Sequence, residues 1–195
     1  MCIAIYLSWF EIPGMIHSLR KEYNHQFSDE NYRDYIQALA LKYPNQLEFR
    51  VAETPIFIPD DFNQKMQATC EAIIDVIQTP AYKTESDRAI PEQLKVPNED
   101  SHPHFIAFDF GICTNEKGHL EPQLIEMQGF PTMFAWQLIQ PEIHQQFFEW
   151  PAGFSFLLNG FNRNSYRQIL KEIILEESAP ENVILLEIFP EKQKT

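Results

Sequence analysis

Two stretches of alternating sequence, 105–112 and 123–128, constrain this chain more than any other feature. In an extended strand, successive side chains point to opposite faces. Phe105, Ala107, Asp109 and Gly111 therefore share one face, while Ile106, Phe108, Phe110 and Ile112 form an apolar face that reads as core. In the second stretch, Leu124, Glu126 and Gln128 share a face, and Ile125 and Met127 take the other. Between them, Asn115, Glu116, Lys117 and Gly118 have the composition of a turn. Pairing Asp109 with Glu126 centres that turn between Lys117 and Gly118. The same register brings Ile125 and Met127 to the side of Phe108 and Phe110, so it serves the turn and the core together.

Directly opposed residues on an antiparallel pair have Cβ atoms roughly 4.5–5.5 Å apart. Two carboxylates that close need compensation by a shared proton, a basic neighbour or a cation. Oxygen donors suit Mg²⁺ or Mn²⁺, and Gln128 offers a third oxygen on the same face. Asp109, Glu126 and Gln128 are thus the candidate metal ligands. The alternative is a solvated sheet face carrying two ordinary surface acids.

Helical periodicity predicts a helix over 28–43, with Ser28 as N-cap and a stripe of Tyr32, Tyr35, Ile36, Leu39 and Tyr43. A second is expected over 60–77, capped by Asp60, with Phe62, Met66, Cys70, Ile73 and Ile77 inward and Pro80 beyond its end. Further helices are expected within 132–140 and over 165–177, the latter burying Tyr166, Ile169, Leu170 and Ile173. Short strands are expected at 2–7 and 47–51, with an extended piece at 55–58. The polar segment 81–103 reads as a long surface loop. His102 and His104, which flank Pro103 at its end, are more readily solvated than metal-bound. The nearly continuous apolar run 183–189 reads as a buried, parallel strand. A parallel strand ordinarily feeds a crossover, and the sequence ends at Thr195, so the expectation is a chain cut from a longer protein. The alternative is an edge strand followed by a free tail. The fold class expected is mixed α/β, an antiparallel-containing sheet with flanking helices.

The formal charge of −13 excludes a phosphate-neutralising nucleic-acid surface and disfavours an anionic membrane. An acidic chain that handles phosphates needs a divalent cation. No stretch approaches the ~20 apolar residues of a membrane span. Three unpatterned cysteines, Cys2, Cys70 and Cys113, fit a reducing, cytoplasmic setting. Cys2 would become an N-terminal thiol after loss of Met1, as in N-terminal-nucleophile amidotransferases, but that family resemblance wants Gly next and Ile3 follows.

Phe108-Asp109-Phe110, a turn, and then Pro122-Gln-Leu-Ile-Glu126-Met-Gln128-Gly-Phe-Pro131 resembles the metal-binding hairpin of ATP-grasp enzymes. That family carries an Asp on one strand and Glu-x-Asn on the next, with a proline a little beyond. The early position of the hairpin is similar to the circularly permuted branch that includes the synthetase domain of glutathionylspermidine synthase. The resemblance implies an ATP-grasp-like partial fold over 1–180, with 181–195 opening a following α/β domain. It also implies a segment of a carboxylate–amine ligase, incomplete or inactive alone, in which Asp109 and Glu126 hold Mg²⁺ against the phosphates of ATP. Its partners would be a nucleotide and a small-molecule substrate. Two departures stand out: Gln128 replaces the family's Asn, and Ala107 occupies the place of an expected phosphate-binding Arg. The family's nucleotide-gripping lysines would lie beyond Thr195. The competing readings are a non-catalytic α/β module that binds a cation or a partner, and a metal-dependent hydrolase, which wants more His or Asp ligands than can be placed.

Overall fold

Side-chain capping and apolar stripes define most of the helices. The structure, a computed structural model, describes residues 17–45, 47, 49–99, 102–129, 133–186 and 189, without the side chain of His17. Among these the fold is mixed α/β, with six α-helices and one two-stranded antiparallel sheet. The chain divides into two compact units, Met1–His17 with Ile56–Pro131, and Ser18–Pro55 with Thr132–Thr195. No helix among the described residues is long and apolar enough to cross a membrane.

The first unit contains α3 (Asp60–Ile77), α4 (Pro80–Ala89), β1 (Ala107–Thr114) and β2 (Leu120–Gln128). Helix α3 packs on β2. Phe62 on α3 is buried, as are Phe57 and Leu120, and the Lys65 ammonium donates to the Leu120 carbonyl at 3.1 Å. Burying each such side chain contributes ~1.5–3 kcal/mol. Asp60 is the first helical residue rather than the cap, which is Pro59.

Pro80 does not merely follow α3. It occupies the first turn of α4, where its missing N–H costs nothing, and the Thr79 hydroxyl accepts from the Tyr82 N–H at 3.2 Å. The expected loop at 81–103 is therefore helical in its first part. Helix α4 buries no residue; ion pairs along its surface, Lys83–Asp87 and Arg88–Glu85, support it instead.

The second unit contains α1 (His17–Gln26), α2 (Asp29–Lys42), α5 (Trp136–His144) and α6 (Arg163–Leu175). Ser28 caps α2 as expected, its hydroxyl accepting from the Asn31 N–H at 3.1 Å. The core joins Tyr23 of α1, Tyr35 and Leu39 of α2, and Leu138, Ile143 and His144 of α5 with Val51 and Phe148. Helix α5 runs through Pro141, past the end expected at residue 140. Interior proline costs ~3 kcal/mol, here offset by burial of Leu138, Pro141, Ile143 and His144.

No strand forms at the described residues of 47–51. The Val51 carbonyl is taken by the Tyr32 hydroxyl at 2.5 Å and the Glu53 carbonyl by Tyr23 at 3.1 Å. Tyrosine side chains hold this segment in place of a ladder. Helix α6 has an Asn162–Ser165 capping box, but its apolar stripe is only half-buried. The expected buried strand fails at its described residues: Ile184, Leu185 and Leu186 are 85%, 95% and 85% exposed and belong to no strand. Apolar composition supplies strand propensity, but a buried strand also needs sheet partners, and residues 183–186 have none among the described residues. The strand expected at 2–7 lies outside the described residues.

Candidate functional site: an acidic pair at a β-bulge

The turn is built by Asn115. Its side-chain oxygen accepts from the N–H groups of Lys117 and His119, both at 3.0 Å. Its backbone carbonyl accepts from Gly118 at 2.9 Å, and Gly118 takes φ +78°, a conformation that favours glycine. Thr114 pairs with Leu120, which centres the turn on Lys117 rather than between Lys117 and Gly118. The strands pair in this register from Thr114 back to Phe110, opposite Leu124. The register then shifts by one residue, and Asp109 pairs with Glu126, Phe108 with Met127 and Ala107 with Gln128.

The extra residue is Ile125, a β-bulge one position from the acids. Bulges re-aim side chains and sharpen local twist. The faces taken by Gln123, Leu124 and Ile125 change as a result. Leu124 pairs with Phe110 and joins the apolar side, whereas Gln123 pairs with Gly111 on the Asp109 side. Ile125 leaves the side of Phe108. Its Cδ1 lies 3.8 Å from where a Cβ on Gly111 would stand, on the face of Asp109, and the residue is exposed. Gln123 is the residue on this face that sequence reading missed, because nothing in the pattern marks the bulge.

The three expected ligands do share a face. Asp109 and Glu126 are direct partners, and Gln128 stands two residues beyond Glu126. The Gln128 amide nitrogen donates to Glu126 Oε1 at 2.6 Å, which leaves the amide oxygen as its second polar atom. Asp109 Oδ2 is buried and has no hydrogen-bond partner among the described residues. Among the described residues neither acid forms an ion pair with Lys, Arg or His. A buried carboxylate oxygen without a donor is costly, ~1–3 kcal/mol or more. A cation or a proton relieves it.

The donor set is two carboxylates and an amide; among the described residues no group of three or more His, Cys, Asp and Glu could hold a metal. Such a set fits Mg²⁺, which binds through one or two carboxylates and keeps several waters, and does not fit zinc. His102 and His104 are exposed, with ring centroids 6.1 Å apart. Cys70 and Cys113 are free thiols, and burial raises the Cys70 pKa. Comparison of the chain with protein-family models, with curated proteins and with solved structures gave no match.

Proposed function

We propose that the Asp109–Glu126 hairpin is a divalent-cation site, taking Mg²⁺ or Mn²⁺, and that the chain is a segment of an ATP-grasp-like carboxylate–amine ligase. One observation carries the cation reading: two acids meet directly across the ladder, and among the described residues one has a buried oxygen lacking any donor and no basic side chain pairs with either. Asp109 and Glu126 supply the negative charge, and the Gln128 amide fixes the rotamer of Glu126 by donating to Oε1. A bound cation would offset charge on a transferring phosphoryl group. The ligase reading adds the resemblance of 105–131 to the ATP-grasp hairpin.

A second reading, a cation- or partner-binding module without catalysis, is favoured by Ala107, which lies two pairs from the acids where an arginine would hold phosphate. Manganese binding followed by electron paramagnetic resonance tests the shared premise. Wild type is expected to bind Mn²⁺ saturably, with affinity reduced at least about tenfold in Asp109→Asn and Glu126→Gln. Equal binding by all three proteins would falsify the site. Tighter Mn²⁺ binding in the presence of ATP supports the ligase, and indifference to ATP supports the module.

A further inference from the structure

Among the described residues, His144 of the second unit is a buried polar side chain. It is 3% exposed and lies among Tyr23 of α1, Tyr35 of α2, and Phe148 and Trp150 of the segment after α5. The Trp150 indole nitrogen lies 2.9 Å from Nδ1, and an indole N–H can only donate. Nδ1 must therefore accept, so the ring is neutral with its proton on Nε2. Nε2 lies 2.9 Å from the Tyr23 hydroxyl, which receives that proton and donates its own to the Glu53 carbonyl at 3.1 Å. One direction runs through the whole chain: Trp150 to His144 to Tyr23 to Glu53.

This polarity makes the Trp150 contact conditional. A proton added to the ring goes to Nδ1 and sets two N–H donors face to face at 2.9 Å. Either the ring stays neutral or the indole leaves. Among the described residues, the titratable groups against the ring are the phenols of Tyr23 and Tyr35. Of the carboxylates near it in sequence, Glu149 is exposed and Glu142 lies 2.8 Å from Arg163 Nε, although off the hydrogen-bonding direction. The Glu53 carboxylate is engaged by Arg50. Burial alone lowers the His144 pKa, to about 4.

Trp150 also supports a cavity wall. Its ring meets Phe156 edge-on at 5.7 Å. Phe156 lines a cleft of about 540 Å³ together with Leu157, Phe161, Arg163 and Ile143, the residue before His144. Gly153, with φ +84°, turns the chain between Trp150 and Phe156. We propose that His144 is an acid-sensitive latch on this cleft: a second proton on its ring expels the Trp150 indole and releases the Phe156 wall. The proton comes from solvent, no covalent bond changes, and the step reverses on neutralisation.

The test uses the full chain with Trp9→Phe and Trp136→Phe, so that Trp150 is the single indole. Acrylamide quenching and far-UV circular dichroism are followed from neutral pH to about pH 3.5. Quenching of Trp150 is expected to rise roughly twofold as the indole opens, with a midpoint near the His144 pKa of about 4 and unchanged circular dichroism. In the same background, His144→Asn places an amide oxygen near the Nδ1 position without a titrating group, and its quenching is expected to be flat with pH. The same transition in His144→Asn overturns the latch. So does a transition that coincides with loss of helical signal, or no transition at all. If His144→Asn does not fold, wild-type imidazole ¹⁵N shifts decide. Nδ1 protonation and loss of protection of the Trp150 indole N–H must share one midpoint, and separate midpoints overturn the proposal.

Discussion

Asp109→Asn removes one of the two opposed charges while keeping the shape of the side chain. Without divalent ions, like charges directly across a ladder cost about 0.2–1 kcal/mol, and the unpartnered Asp109 Oδ2 adds a desolvation penalty of about 1–3 kcal/mol. The amide abolishes the repulsion and gives Glu126 a donor, but it remains polar, so only part of the penalty is recovered. The variant is expected to be about 1 kcal/mol more stable than wild type in EDTA, a Tm higher by about 2–4 °C for a chain of this size. Mg²⁺ at a hundred times its Kd stabilises a protein that binds it only when folded by about 2.7 kcal/mol. Wild type should receive that increment and the variant should not, so the order of stability reverses. Differential scanning calorimetry in EDTA and in excess Mg²⁺ reads both limbs. A variant less stable than wild type in EDTA, or equal Mg²⁺ responses in the two proteins, refutes the reasoning.

Two other outcomes are expected. The His144 pKa falls from 6.5 to about 4 on folding, so the unfolded chain binds the extra proton first. The contribution of His144 is complete above about pH 6.5 and is lost as pH falls through the window down to about 4, with an upper bound of about 3 kcal/mol; urea unfolding at the two ends of that window measures it, and His144→Asn should flatten the slope. Leu185→Asp alters a side chain that is 95% exposed and is expected to shift stability by no more than about 0.5 kcal/mol, whereas a Tm drop of several degrees would restore the buried strand that the apolar run suggests.

Local signals were the legible part of this fold. Helices α2 and α3 announce themselves by stripes at helical spacing and, in α2, by a serine cap that forms. Helix α4 does not, because its support is surface charge and a first-turn proline rather than an apolar face. The Asp109–Glu126 pairing was legible for a reason that was half complete. Turn chemistry alone sets a register one residue short, and the Ile125 bulge supplies the difference. The apolar face could be read from Phe108 and Phe110, but the facial positions of Gln123, Leu124 and Ile125 depend on the bulge and could not. The run at 183–189 shows the limit of composition, since strand propensity says nothing about whether a partner is present. His144 was illegible altogether: its environment is made by Tyr23, 121 residues away, and by Trp150, six residues on.

The most direct measurement of the central claim is an anomalous difference map from crystals soaked in Mn²⁺. A peak is expected within about 2–2.5 Å of carboxylate oxygens from both Asp109 and Glu126, with waters completing the shell. A map without density there, in which the two acids share a proton or turn to a lysine or arginine, contradicts the claim.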